Sequence, residues 1–92
     1  MKISVLGAGG WGTTLSILLH YNGHKVTLWE FKKHYAKILE KERANPVYLP
    51  GIKIPDEIHI THNLDEAVLH QNLIVLAVPS QFLRSVVKEI KF

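Results

Sequence analysis

Apolar positions in this chain repeat with two different periods, and each change of period marks a change of predicted element. Lys2 to Leu6 is a near-continuous apolar run, the pattern of a strand buried on both faces. Gly7 to Gly12 breaks that run with a glycine-rich turn. Trp11, Leu15, Leu18 and Leu19 then fall at i, i+4, i+7 and i+8, the apolar face of a helix that Asn22-Gly23 stops. A second strand runs from Lys25 to Trp29 and ends at Glu30-Phe31, completing strand, turn, helix and strand within one βαβ unit. Tyr35, Ile38 and Leu39 share the i, i+3, i+4 spacing of a second helix facing the sheet.

Asn45 to Pro55 interrupts the pattern with three of the four prolines and reads as an ordered loop. Ile58, Ile60 and Thr61 form a short third strand. Asn63 caps the next helix, with Glu66 in the capping-box position and Leu64, Ala67 and Val68 inward. Leu73 to Val78 is apolar on both faces, as a parallel strand covered by helices should be, and Pro79 stops it. Ser80 caps a last helix with Leu83, Val86, Val87 and Ile90 on one face. Four strands alternating with helices predict an α/β fold, a Rossmann-type parallel sheet with flanking helices in the order 3-2-1-4.

Ninety-two residues suffice for one small domain, so residues 1–92 are expected to be the N-terminal part of a dinucleotide-binding domain, with a substrate domain absent. The chain is 47% hydrophobic and 21% charged, a globular balance, and the opening apolar run meets Gly7 and Gly9 too early for a signal peptide or a membrane span. The absence of cysteine fits a reducing compartment, so a cytoplasmic location is expected. Net charge is +3. Its densest basic group, Lys32, Lys33, Lys37 and Lys41, is interleaved with Glu40 and Glu42, which reads as a solvated helix face rather than a nucleic-acid footprint.

Gly7-Ala8-Gly9-Gly10-Trp11-Gly12 matches G-x-G-x-x-G, a weak signal alone but stronger between a predicted strand and a predicted helix. Gly7 makes the tight turn, Gly9 lets a pyrophosphate approach the backbone, and Gly12 lets helix and strand pack closely. The helix N-terminus adds unpaired N–H groups and partial positive charge. About twenty residues on, Glu30 can accept from the adenosine ribose 2′-OH and repel a 2′-phosphate, whereas Lys32-Lys33 can accommodate that phosphate. The cofactor is therefore expected to be NAD or NADP. Phe31 and Phe82 both follow strand ends, where ligands lie in open α/β sheets, and each reads as a cofactor wall or as core. Trp11 leans over the cofactor or opens the helix face. His59 and His62 point to opposite faces of a short strand, and Gly23 ends the helix between His20 and His24, so no metal site is expected.

With these segments placed, the chain resembles glycerol-3-phosphate dehydrogenase along essentially its whole length. Gly7 to Thr13 is similar to that family's opening, and Tyr48-Leu49-Pro50-Gly51 with Ile54-Pro55 is similar to its more specific tyrosine-leucine-proline-glycine segment. The resemblance implies an enzyme that interconverts sn-glycerol 3-phosphate and dihydroxyacetone phosphate with NAD(P), for phospholipid biosynthesis. It also implies cofactor contacts at Gly10, Trp11, Phe31 and Phe82, and a homodimer in the full-length form. Gly10 stands where relatives usually carry serine or asparagine, and Glu30 is not a residue the family requires. The family's catalytic lysines and helical substrate domain lie beyond Phe92, so no residue here is assigned a catalytic role. Two rivals remain: a nucleotide-sensing module that catalyses nothing, since fold alone does not give function, and another hydroxy-acid or sugar-acid dehydrogenase, against which the Tyr48-to-Pro55 segment argues.

Overall fold

The computed structural model describes residues 1–90. In chain order the elements are β1 (Lys2–Leu6), α1 (Gly10–Tyr21), β2 (Lys25–Trp29), α2 (Lys33–Glu42), β3 (Ala44–Asn45), β4 (Leu49–Lys53), β5 (His59–Thr61), α3 (Leu64–Val68), β6 (Leu73–Leu76) and α4 (Ser80–Glu89). One sheet holds four parallel strands in the order β5-β2-β1-β6, the predicted 3-2-1-4. The chain leaves β1 toward β2 on one side and later returns to β6 on the other. That reversal opens a crevice at the carboxyl ends of β1 and β6, where open α/β sheets bind ligands.

Alternation along each strand divides the core in two. Val5, Val26 and Leu28 meet Leu15 of α1 and Tyr35 and Leu39 of α2. Leu6 and Trp29 meet Ala67 and Val68 of α3 and Val86 of α4. Asn63 caps α3 as expected, its Oδ1 accepting the Glu66 N–H at 3.0 Å. The Glu66 carboxylate instead pairs with the His59 imidazole, so the reciprocal half of the capping box is absent. Gly23, with φ +90°, lets the chain turn after α1.

Several expectations change. Trp11 is 64% exposed and Leu18 also faces outward, while the buried residues of α1 are Gly12, Thr13 and Ser16. The helix lies so near β1 that only small side chains fit between them; the two hydroxyls in that face are satisfied, Ser16 Oγ donating to Gly12 O at 2.8 Å. Ile38 likewise turns outward, and Ala36 takes the inner position on α2. Asn45 to Pro55 is not a plain loop, because β3 and β4 pair antiparallel across an irregular register. A proline is tolerated in such a ladder where its missing N–H has no strand partner, and Gly51 supplies a positive φ of 81°. Ser80 opens α4 with Pro79 at the N-cap and no side-chain cap. The last parallel strand ends at Leu76 and is an edge of the described sheet, leaving Leu73 and Leu76 partly exposed where two-sided cover was expected.

Candidate functional site

Each motif glycine meets a different steric demand. Gly7 has φ +122°, and a Cβ there would lie 2.6 Å from Ala77 O, so the turn is both left-handed and pressed against the strand end beside it. A Cβ on Gly12 would stand 1.8 Å from Gly7 O, which is why α1 can pack so closely on the turn. On Gly10 it would meet Tyr48 O at 2.8 Å. Gly9 is the exception. It has extended backbone at the N-cap of α1, and a Cβ there would meet nothing within 4 Å. One face of the bend is thus bare main chain. Thr13 N–H donates to Gly9 O at 3.0 Å, and the N–H groups of Gly10, Trp11 and Gly12 precede any intrahelical acceptor.

This bend floors a cleft of about 1030 Å³. Gly7, Gly9, Gly10, Trp11, Glu30, Phe31, Lys32 and Phe82 all line it, while Gly12 lies behind the wall as packing. Sequence reasoning missed His34, Tyr35, Val47 and Tyr48 as lining residues. His34 stands one helical turn beyond Glu30, a spacing that could have drawn notice; Tyr35 read as core, and Val47 lay in a segment read as loop.

The far end of the cleft is built from side chains. Phe31 and Phe82 are half exposed, with ring centroids 6.2 Å apart and planes tilted by 32°. Trp29 extends the row, 6.4 Å from Phe31. Lys32 Nζ sits 5.6 Å from the Phe31 ring centroid, within cation–π range. A second cavity of about 440 Å³ opens behind Phe31, Val78, Pro79 and Phe82. Glu30, at the end of β2, is only 6% exposed. Burial pushes its carboxyl above the ordinary 4.5, partly offset by the Lys32 N–H at 3.4 Å and by the charges of Lys32 and His34.

A sequence model of the NAD-dependent glycerol-3-phosphate dehydrogenase N-terminus matches residues 2–92. The chain belongs to that family. A glycerol-3-phosphate dehydrogenase [NAD(P)+] of Fusobacterium nucleatum is 52% identical over 91 residues, which are 99% of this chain and 27% of that protein. Among solved structures, the glycerol-3-phosphate dehydrogenase of Coxiella burnetii superposes with a TM-score of 0.88 at 31% identity, over 94% of this chain and 26% of that one. That of Plasmodium falciparum gives 0.84 at 30% identity, over 100% and 29%. The chain therefore spans about a quarter of the length of the curated relatives it matches. Among the described residues no three of His, Asp and Glu come together to hold a metal ion. No described helix is long and apolar enough to cross a membrane.

Proposed function

We propose that residues 1–92 are the dinucleotide-binding part of an oxidoreductase that interconverts sn-glycerol 3-phosphate and dihydroxyacetone phosphate, and that the cleft holds NAD(H) or NADP(H). The observation that carries this reading is the bare face at Gly9, beside the unpaired N–H groups that open α1. A diphosphate fits such a place because main-chain donors and the helix dipole stabilise it without any side chain intervening. Gly7, Gly9, Gly10 and Trp11 contact the pyrophosphate, with Gly12 setting the approach of α1. Glu30 accepts from the adenosine ribose, Lys32 accommodates a 2′-phosphate, and Phe31 and Phe82 wall the base. Held by these residues, a nicotinamide dinucleotide would supply hydride-transfer chemistry to the interconversion.

The chain's own residues bind and orient. No residue in the cleft is assigned the role of catalytic base, and we place that group, with the substrate domain, outside residues 1–92. The cysteine-free composition suits a reducing compartment, and we take the full-length form to be a cytoplasmic homodimer supplying phospholipid synthesis. Fluorescence titration with NADH and NADPH tests the reading, since Trp11 lines the cleft. Gly9→Val fills the bare face and should weaken binding at least about 100-fold, while the chain by itself turns over no glycerol phosphate. Unchanged affinity in that variant would remove the glycine bend as the site.

A further inference from the structure

Segment 44–53 gives the cleft only Val47 and Tyr48. Its one fully buried polar side chain, Asn45, points away from the hairpin and into the glycine bend. Asn45 Nδ2 donates both its hydrogens, to Ala8 O at 2.8 Å and to Thr13 Oγ1 at 2.8 Å. Asn45 Oδ1 accepts from Tyr48 N–H at 3.3 Å and from the Tyr35 hydroxyl. The Tyr35 hydroxyl in turn accepts from Val47 N–H at 3.2 Å. Every donor and acceptor of the buried amide is used, the condition under which such a group rigidifies its surroundings. The amide has one orientation, because Ala8 O can only accept and Tyr48 N–H can only donate.

Ala8 and Thr13 flank the bare stretch. Ala8 lies immediately before Gly9, and Thr13 carries the first paired N–H of α1. Tyr48 O presses on the same stretch from outside, at the distance that leaves Gly10 no room for a side chain.

We propose that Asn45 is a positioning residue for the pyrophosphate: it spans the bend from Ala8 to Thr13 and holds the N–H groups between them at one spacing. This rests on the dinucleotide reading of the cleft. Main-chain donors stabilise an anion in proportion to how well they are aimed before it arrives, and a displacement near 1 Å removes much of the benefit. The hairpin is thus a brace for the phosphate site. Its amide touches no ligand and acts only through the bend. Burial pushes the Tyr35 hydroxyl above its ordinary pKa.

The test separates aim from folding by comparing ligands that have the diphosphate with one that lacks it. NADH, ADP and adenosine are titrated into the parent chain and into Gly9→Val, Asn45→Asp, Thr13→Val and Thr13→Ser. Thr13→Val keeps the shape but removes the hydroxyl that accepts from Asn45. It should weaken NADH and ADP about five- to tenfold while adenosine stays within about twofold, and Thr13→Ser should restore both. Asn45→Asp sets an oxygen against Ala8 O and should lose more, about 10- to 100-fold for the same two ligands. If it fails to fold, Thr13→Val decides alone. Diphosphate affinities within twofold of the parent in Thr13→Val, or parallel losses for all three ligands, overturn the proposal while the dinucleotide reading stands. A parent chain that ignores NADH, or a Gly9→Val that binds like the parent, defeats the reading itself and the brace with it.

Discussion

The two ends of the cleft are built by opposite means. At the glycine bend the wall is main chain, pressed by Ala77 O, Gly7 O and Tyr48 O at three positions and open at Gly9. At the far end it is side chains, with Phe31 55% and Phe82 46% exposed and touching one another only loosely. Main chain cannot be exchanged by mutation, so the first end has room for an added atom at Gly9 alone among its four glycines and, on the proposed reading, treats all dinucleotides alike. Side chains can be exchanged one by one, so we place preference between dinucleotides at the second end.

The largest effect is expected from Gly12→Ala. The new methyl would lie 1.8 Å from a carbonyl oxygen that belongs to the bend itself, and neither partner is a flexible side chain. Overpacking against backbone should destabilise the fold by at least about 3 kcal/mol, read from urea unfolding. Gly9→Val, three residues earlier, should unfold within about 0.5 kcal/mol of the parent while losing NADH. A stable Gly12→Ala would break the comparison, since the bend would then have slack.

Next in size is Glu30→Gln at the far end. Removing a buried carboxylate from the proposed ribose position should raise the NADPH-to-NADH affinity ratio about tenfold, close to 1.4 kcal/mol. The same carboxyl has a consequence for stability. Its pKa is raised in the folded chain above the ordinary 4.5, so the native state binds the proton more tightly than the unfolded one. Stability is therefore greatest below 4.5 as far as this group is concerned, and falls as pH rises from 4.5 through the raised folded value. Glu30→Gln should flatten that segment of the stability profile, and in the parent alone the NADPH preference should grow as pH falls through it. A ratio that stays put in Glu30→Gln would move cofactor choice to Lys32 or His34.

How much of this was legible in sequence follows from what each region is made of. Parallel strands advertise themselves as apolar runs, and the glycine spacing sits where a strand meets a helix, so β1, β2, β6 and the bend were readable along with the sheet order. The inner face of α1 was not, because closeness to β1 selects Gly12, Thr13 and Ser16, which look polar, while Trp11 and Leu18 look like core. Prolines hid the β3–β4 ladder, since a missing N–H argues against a strand unless the partner side of that strand is known. Burial of Glu30 and the role of Asn45 depend on segments folding back from far along the chain, with Ala8 and Asn45 37 positions apart in their hydrogen bond. No local pattern records such a meeting.

The smallest expected effect tests whether the aromatic row acts on the base alone. Phe82 and Phe31 present half-exposed ring faces with no polar atom aimed at a ribose, so their contact cannot sense what the 2′ position carries. Removing one ring forfeits an aromatic contact worth about 0.5–1.5 kcal/mol, and Phe82→Ala should weaken NADH and NADPH equally, by about two- to tenfold. Because Phe82 is half exposed on α4, stability should change little, which keeps the binding measurement clean. If Phe82→Ala instead shifted the ratio between the two coenzymes, the aromatic row and Glu30 would have to act on the same part of the ligand. The far end would then be one coupled site instead of a wall for the base and a separate sensor for the ribose.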